Sequence, residues 1–196
     1  MGGINSKEES EQVLIVGQQK SGKTLLFKRF IDNKKETHKT NIESTLGYNH
    51  TTSKICNVTY DLWDLGGDNL TKSYWPTFYR NLRFSLVIFV INIADESTFT
   101  TELKDLLILL NEEELKQARF FILFNMVVDN QLKIKMGESL KNLYMDTAEE
   151  LISHLKECNV HEFEFRVSWD ILDILKLTDA DCEFLNKNFI SNVKAK

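Results

Sequence analysis

Apolar residues in this chain come in short unbroken runs separated by amphipathic stretches. Val13-Leu14-Ile15-Val16, Phe120-Phe121-Ile122-Leu123-Phe124 and the run between Ser85 and Ile93 are strand-sized. Strands are predicted over 12–17, 49–56, 58–65, 85–92, 119–125 and 163–168. Helices are predicted over 22–31, 70–81, 98–111, 147–157 and 179–193. Two helix starts carry capping-box chemistry, Asp146-x-x-Glu149 and a carboxylate version, Thr178-x-x-Asp181. Phe184, Leu185 and Phe189 recur at helical spacing and fit a terminal helix closing the core. The two strands over 49–65 are joined so tightly that they must run antiparallel, whereas the other alternations demand parallel crossovers. The expectation is an α/β fold with a mostly parallel six-stranded sheet, one antiparallel strand and helices on both faces. Ligands of such sheets bind at the carboxyl ends of the strands.

The first apolar run leads directly into Gly17-Gln18-Gln19-Lys20-Ser21-Gly22-Lys23-Thr24 and then into the amphipathic Leu25-Leu26-Phe27-Lys28-Arg29-Phe30. This is GxxxxGK[ST] between a strand and a helix, the context in which backbone N–H groups and a helix dipole cradle a di- or triphosphate. Gln19, Lys20, Ser21, Gly22 and Leu25 are accordingly candidate nucleotide contacts. Lys23 would reach the β/γ-phosphates, and Thr24 would ligand Mg2+. A second constellation, Leu62-Trp63-Asp64-Leu65-Gly66-Gly67, ends another apolar strand. A carboxylate there is the expected outer partner of the Mg2+, so Asp64 takes that role. Gly66 and Gly67 would let backbone approach the γ-phosphate closely enough for an N–H to detect it.

Composition narrows the class. The 196 residues are 42% apolar, enough for one domain with a substantial core; residues 12–196 are read as that domain and 1–11 as a polar tail. A net charge of −5 gives no electrostatic case for nucleic acid. Cys56, Cys158 and Cys182 have no metal-ligand spacing and read as reduced thiols of a cytoplasmic protein. His38, His50, His154 and His161 show no spacing that points to metal or catalysis. No apolar stretch is long enough to span a bilayer. The start Met1-Gly2-Gly3-Ile4-Asn5-Ser6 fits the acceptor pattern for N-myristoylation at Gly2. One such chain gives only weak, reversible membrane association, and Glu8-Glu9-Ser10-Glu11 supplies no basic second signal.

Trp63-Asp64-Leu65-Gly66-Gly67, behind this phosphate loop and a Gly2 acceptor, resembles the ADP-ribosylation factor and Arf-like small GTPases. Ser44-Thr45-Leu46-Gly47-Tyr48-Asn49 is similar to the family's switch I motif Pro-Thr-Ile-Gly-Phe-Asn. The resemblance implies the P-loop small G protein fold, GTP and GDP as ligands and Mg2+ as cofactor. It implies that Thr45 ligands Mg2+ and contacts the γ-phosphate. Gly67 lies at the γ-phosphate, and Tyr48, Trp63 and Phe78 form the aromatic triad that effectors read. Trp75 matches a switch II tryptophan. An exchange factor, a GTPase-activating protein and effectors are the implied partners of a monomer that visits an intracellular membrane. The similarity runs from Gly2 to about Asn130 and fades to topology beyond.

The departures matter as much. Asp68 stands at the place of the family's glutamine, which orients the attacking water. A short carboxylate lacks the amide's donor-plus-acceptor pair and repels a γ-phosphate, so intrinsic hydrolysis should be slow. The guanine-reading Asn-Lys-x-Asp is matched by Asn125-Met126-Val127-Val128-Asp129 only in its first residue. Val128 occupies the aspartate's place and Asp129 comes one residue late. Either a bulged loop lets Asp129 read the base, or selectivity is weak or lost. The late motif that backs the base is at best Val167-Ser168-Trp169, where Trp169 would stack on a base or pack in the core. The stretch 32–43 is longer than in typical members and reads as a solvated switch loop. Lys20 either adds charge near the phosphates or points to solvent.

Three functions fit: a divergent Arf-like GTP switch with weak hydrolysis, in membrane trafficking or lipidated-cargo transport; a non-catalytic (pseudo-GTPase) binding module with degraded guanine recognition; or another P-loop enzyme such as a kinase. The third needs clustered catalytic arginines, and the five arginines are scattered.

Overall fold

A computed structural model describes residues 10–31, 44–55, 58–126, 130–158 and 160–174, with backbone alone for 130–137. The elements are β1 (Glu11–Gly17), α1 (Lys23–Ile31), β2 (Tyr48–Ile55), β3 (Val58–Leu65), α2 (Asn69–Lys72), α3 (Trp75–Asn81), β4 (Leu86–Asn92), α4 (Phe99–Asn111), β5 (Arg119–Asn125), α5 (Asn130–Glu157), α6 (Phe163–Arg166) and β6 (Val167–Leu172). The six strands form one sheet in the order β2-β3-β1-β4-β5-β6. Every neighbouring pair is parallel except β2 and β3, which form the expected antiparallel hairpin.

The central strands are apolar throughout because helices cover both faces. Val13, Ile15, Ile88, Val90, Phe121 and Leu123 point to the face of α1 and meet Leu26, Phe27 and Phe30. Their alternating neighbours Leu14, Val16, Val87, Phe89, Ile91, Ile122 and Phe124 face α3, α4 and α5, against Tyr79, Leu106, Leu109 and Ile152. Each fully buried aromatic such as Phe89 contributes about 2–3 kcal/mol of transfer free energy. Pleat periodicity thus builds two cores from one apolar run. No helix among the described residues is long and apolar enough to cross a membrane.

Three predicted elements differ. The helix over 70–81 is two short helices, with Pro76 at the start of the second. The helix expected over 147–157 begins at Asn130, so Asp146 and Glu149 are mid-helix. The Thr147 hydroxyl beside them is satisfied inside the helix, donating to Leu143 O at 2.9 Å. The last strand starts at Val167, not 163. Residues 163–166 are instead a helical turn, held by the buried Arg166 guanidinium, which donates to the carbonyls of Leu115 (3.0 Å), Ala118 (3.3 Å), Leu110 and His161 (both 3.4 Å). Ser168 and Trp169 therefore lie within β6, opposite Phe121 and Ile122, and not at its carboxyl end. Trp169 packs edge-on against Phe124 at 5.9 Å. The terminal helix over 179–193, the stretch 32–43, Gly2, Val128 and Asp129 lie outside the described residues.

Candidate functional site

β1 delivers Gly17 to the carboxyl edge of the sheet, where it passes so close to β4 that a Cβ would sit 2.2 Å from Val90 O. Gly22 adopts φ 103° and abuts Asn125, leaving no room for a side chain. Between them the chain turns through Lys20, which has left-handed backbone (φ 64°) and an exposed side chain. α1 begins at Lys23, so its first N–H groups face the loop. The Lys23 side chain is 5% exposed and folds back over the loop, donating to Gln18 O at 2.6 Å. Burial pushes its pKa down to about 8, against the pull of Asp64. Ser21 is buried, and its hydroxyl has no partner among the described residues. Leu25 is core.

Next to the loop, three predicted Mg2+ residues meet. Thr24 Oγ1 lies 2.8 Å from Thr45 Oγ1 and donates to Asp64 Oδ2 at 2.9 Å; Thr45 Oγ1 donates to the same oxygen at 3.1 Å. Asp64 is fully buried, and burial raises its pKa above the usual carboxylate range. Its Oδ1 has no partner among the described residues. Two hydroxyls beside a carboxylate with one uncommitted buried oxygen make a hard, all-oxygen donor set, which fits Mg2+. Asn49, opposite Asp64 in the β2–β3 register, donates to both Thr45 Oγ1 and Asp64 Oδ2 at 3.1 Å. Its bracing role was not read from the sequence, although it lies inside the quoted switch I motif.

The glycine pair closes the site from the β3 side. A Cβ on Gly67 would sit 2.3 Å from Gly17 O, and Gly67 O accepts from Gln19 N at 3.2 Å. Gly66 N donates to Gly47 O, and Trp75 Nε1 donates to Gly66 O at 3.0 Å. Asp68 is turned to a local task. It caps α2, accepting from Thr71 N at 3.0 Å and Thr71 Oγ1 at 2.6 Å. The Thr71 hydroxyl, with the Thr71 N–H, holds its carboxyl below the usual range.

A cavity of about 320 Å3 runs along the carboxyl edge of the sheet from Thr45 and Gly67 at one end to Asn125, Met126 and Asp173 at the other. Gln19, Lys20, Gly22, Lys23, Thr24 and Leu25 line its length. Asn125 is buried and braces the phosphate loop, donating to Ser21 O at 2.8 Å and accepting from Ile174 N at 3.2 Å. Ser168 and Trp169 do not line this cavity; Asp173, just beyond β6, does. The sequence pointed past Asp173 because the strand was placed four residues early. Also missed was a half-buried polar bridge behind the loop, where Asp105 on α4 accepts from Gln18 Nε2 at 3.0 Å and from Lys72 Nζ at 2.5 Å. Tyr48, Trp63 and Phe78 converge outside the cavity, on the β2–β3 surface, with ring centroids 5.1–5.9 Å apart.

The profile of the ADP-ribosylation factor family matches residues 1–167, most of the chain. This chain belongs to that family. It is 30% identical over 122 residues to ADP-ribosylation factor-like protein 2 of Drosophila melanogaster, covering 62% of this chain and 63% of that protein. It is 32% identical over 114 residues to ADP-ribosylation factor-like protein 1 of Saccharomyces cerevisiae, covering 58% of this chain and 59% of that protein. The chain thus spans about three fifths of the length of these two relatives. Its fold is that of the Arl6 BBS3 small GTPase from Trypanosoma brucei, solved with the nucleotide analogue GppNp, at a TM-score of 0.68 and 19% identity over 94% of this chain and 99% of that one. The small G protein fold expected from the sequence is therefore the fold of this Arf-family chain.

Proposed function

We propose that this protein is a Mg2+-dependent guanine-nucleotide switch with weak intrinsic hydrolysis. The observation that carries the reading is the meeting of Thr24, Thr45 and Asp64 beside the phosphate loop, with one buried Asp64 oxygen left uncommitted. Only Thr24 belongs to the loop; Thr45 and Asp64 come from segments that a merely structural fold would not need to gather there. When bound, Mg2+ neutralises phosphate oxygens and screens their mutual repulsion. Thr24 and Thr45 would hold it, with Asp64 and Asn49 fixing their hydroxyls. Lys23, already desolvated, would exchange Gln18 O for phosphate oxygens. Gly67 N–H would sense the γ-phosphate, coupling the nucleotide to α2 and α3.

Weak hydrolysis follows from Asp68. A carboxylate has no N–H to donate, and with both oxygens turned to Thr71 it lacks the amide's donor-plus-acceptor pair that orients water. In this reading, a GTPase-activating protein supplies what Asp68 lacks, an exchange factor empties the site, and effectors read Tyr48, Trp63 and Phe78. Myristoyl-Gly2 gives reversible contact with an intracellular membrane, in trafficking or lipidated-cargo transport. Met126 at the base end of the cavity favours a second reading, a non-catalytic (pseudo-GTPase) binding module with degraded guanine recognition. Gentle purification, denaturation and chromatography of the released nucleotide tests both. Released GDP supports a cycling switch. Bound GTP supports the switch with blocked hydrolysis. An empty protein that also refuses GTP with Mg2+ refutes the switch.

A further inference from the structure

We infer that Gln19, in the phosphate loop, supplies the water-orienting amide that position 68 lacks; the inference rests on the nucleotide-switch reading above. Among the described residues lining the cavity, two carry a side-chain amide. Asn125 lies at the base end and is committed to structure, donating to Ser21 O and accepting from Ile174 N. Gln19 lies at the opposite end, between Gly67 and the segment entering β2. Its backbone N–H donates to Gly67 O at 3.2 Å, and its Nε2 donates to Ser44 Oγ at 3.3 Å, one residue before Thr45. The side chain therefore reaches from the phosphate loop to the Thr45 segment, across the end of the cavity assigned to the γ-phosphate. The sequence makes this reach possible: Ser44 stands where the similar family motif has proline, which carries no hydroxyl to accept the bond. Asp68 is not a competitor for the role, since both its oxygens are turned to Thr71.

In hydrolysis the water oxygen bonds to the γ-phosphorus as the bond from that phosphorus to the β–γ bridging oxygen breaks. The bridging electron pair leaves with GDP, and a water proton passes to a γ-phosphate oxygen, giving inorganic phosphate. Nothing is oxidised or reduced, so the contribution asked of the side chain is orientation. An amide brings two N–H donors and one acceptor oxygen to that task. Ser44 engages one N–H and restrains the amide's rotation, and the second N–H and the oxygen remain for water and phosphate. Gln19 is exposed and its side chain is held by this one bond, so its grip on water is loose and the reaction it supports is slow.

The test is single-turnover hydrolysis of radiolabelled GTP with Mg2+ by the full chain, with GTP affinity measured alongside. Gln19→Ala and Gln19→Glu are made alone and together with Asp68→Gln. Gln19→Ala alone should slow hydrolysis about tenfold while GTP affinity changes less than about threefold. Gln19→Glu keeps the length, loses the N–H donors and should slow hydrolysis by a similar factor. With an amide restored by Asp68→Gln, either change at position 19 should cost less than about twofold, because two residues that share one task are not additive. A Gln19 that only shapes the loop would cost the same factor in both backgrounds, and that equality overturns the inference. So does an unchanged rate in Gln19→Ala, or a wild type that binds GTP and never hydrolyses it; the switch reading stands in each of these cases. If Gln19→Ala does not fold, Gln19→Glu decides by the same comparison. Wild type that binds no GTP with Mg2+ brings down both.

Discussion

Glu102 lies on α4 behind the phosphate loop with 1% of its surface exposed. One oxygen accepts from the Thr98 hydroxyl at 3.1 Å; the other has no partner among the described residues. Burial, with a smaller contribution from Asp95, pushes its pKa up from 4.5 to about 7, against the opposing pull of Thr98, the Asn92 backbone and Lys72. In the unfolded chain the group loses its proton near 4.5, so between pH 4.5 and 7 the native state holds one proton more than the unfolded state. Stability must then fall as pH rises through this window, by about 1.4 kcal/mol per unit, or about 3 kcal/mol in all. The substitution Glu102→Gln keeps the shape and removes the titration. Urea denaturation of both proteins should give a Gln-minus-Glu difference below about 1 kcal/mol at pH 5, rising to about 3 kcal/mol in favour of Gln at pH 8. Comparing the two proteins cancels the other titrating groups. A difference that stays constant from pH 5 to 8 would refute the assignment of this shift to burial of Glu102.

Gly67→Ala forces a Cβ within 2.3–2.6 Å of backbone atoms of Gly17, Gln18 and Gln19, none of which can rotate away. It should lower stability by about 2 kcal/mol in denaturant titration and weaken GTP binding. Arg166→Met removes the guanidinium donor from the buried carbonyls of Leu110, Leu115 and Ala118, of which Leu115 O keeps the Ala118 N–H, and a loss of about 2–3 kcal/mol is expected by the same assay, with β6 exchanging amide protons first. Asp68→Gln removes the cap on α2, at a cost of about 1 kcal/mol in thermal unfolding, and places an amide in the turn before α2. Single-turnover GTP hydrolysis should rise about tenfold or more; an unchanged rate would show that position 68 does not limit hydrolysis.

What was readable along the chain was whatever local chemistry imposes. Unbroken apolar runs named the central strands, because a strand covered on both faces has no polar side. The tight link between β2 and β3 required antiparallel pairing, and GxxxxGK[ST] after a strand named the phosphate loop, because glycine there answers a backbone need visible in the motif itself. Thr24 and Asp64 were singled out by their motifs and Thr45 by the family resemblance, and the structure brings the three side chains together at 2.8–3.1 Å.

Where elements stop and what polar groups do with their second partner were decided only in three dimensions. Position 163 looked like the start of a strand until Arg166 found the carbonyls of 110, 115 and 118, contacts no local pattern can announce. That four-residue shift removed Ser168 and Trp169 from the site and brought Asp173 into it. Asp146 had the chemistry of a helix cap, but no helix end is there for it to cap. Asp68 reads as a misfit beside a phosphate and proves to be a helix cap, because Thr71 offers it two donors nearby. Spacing along the chain fixes which groups are present; long-range packing fixes which of them are free to act.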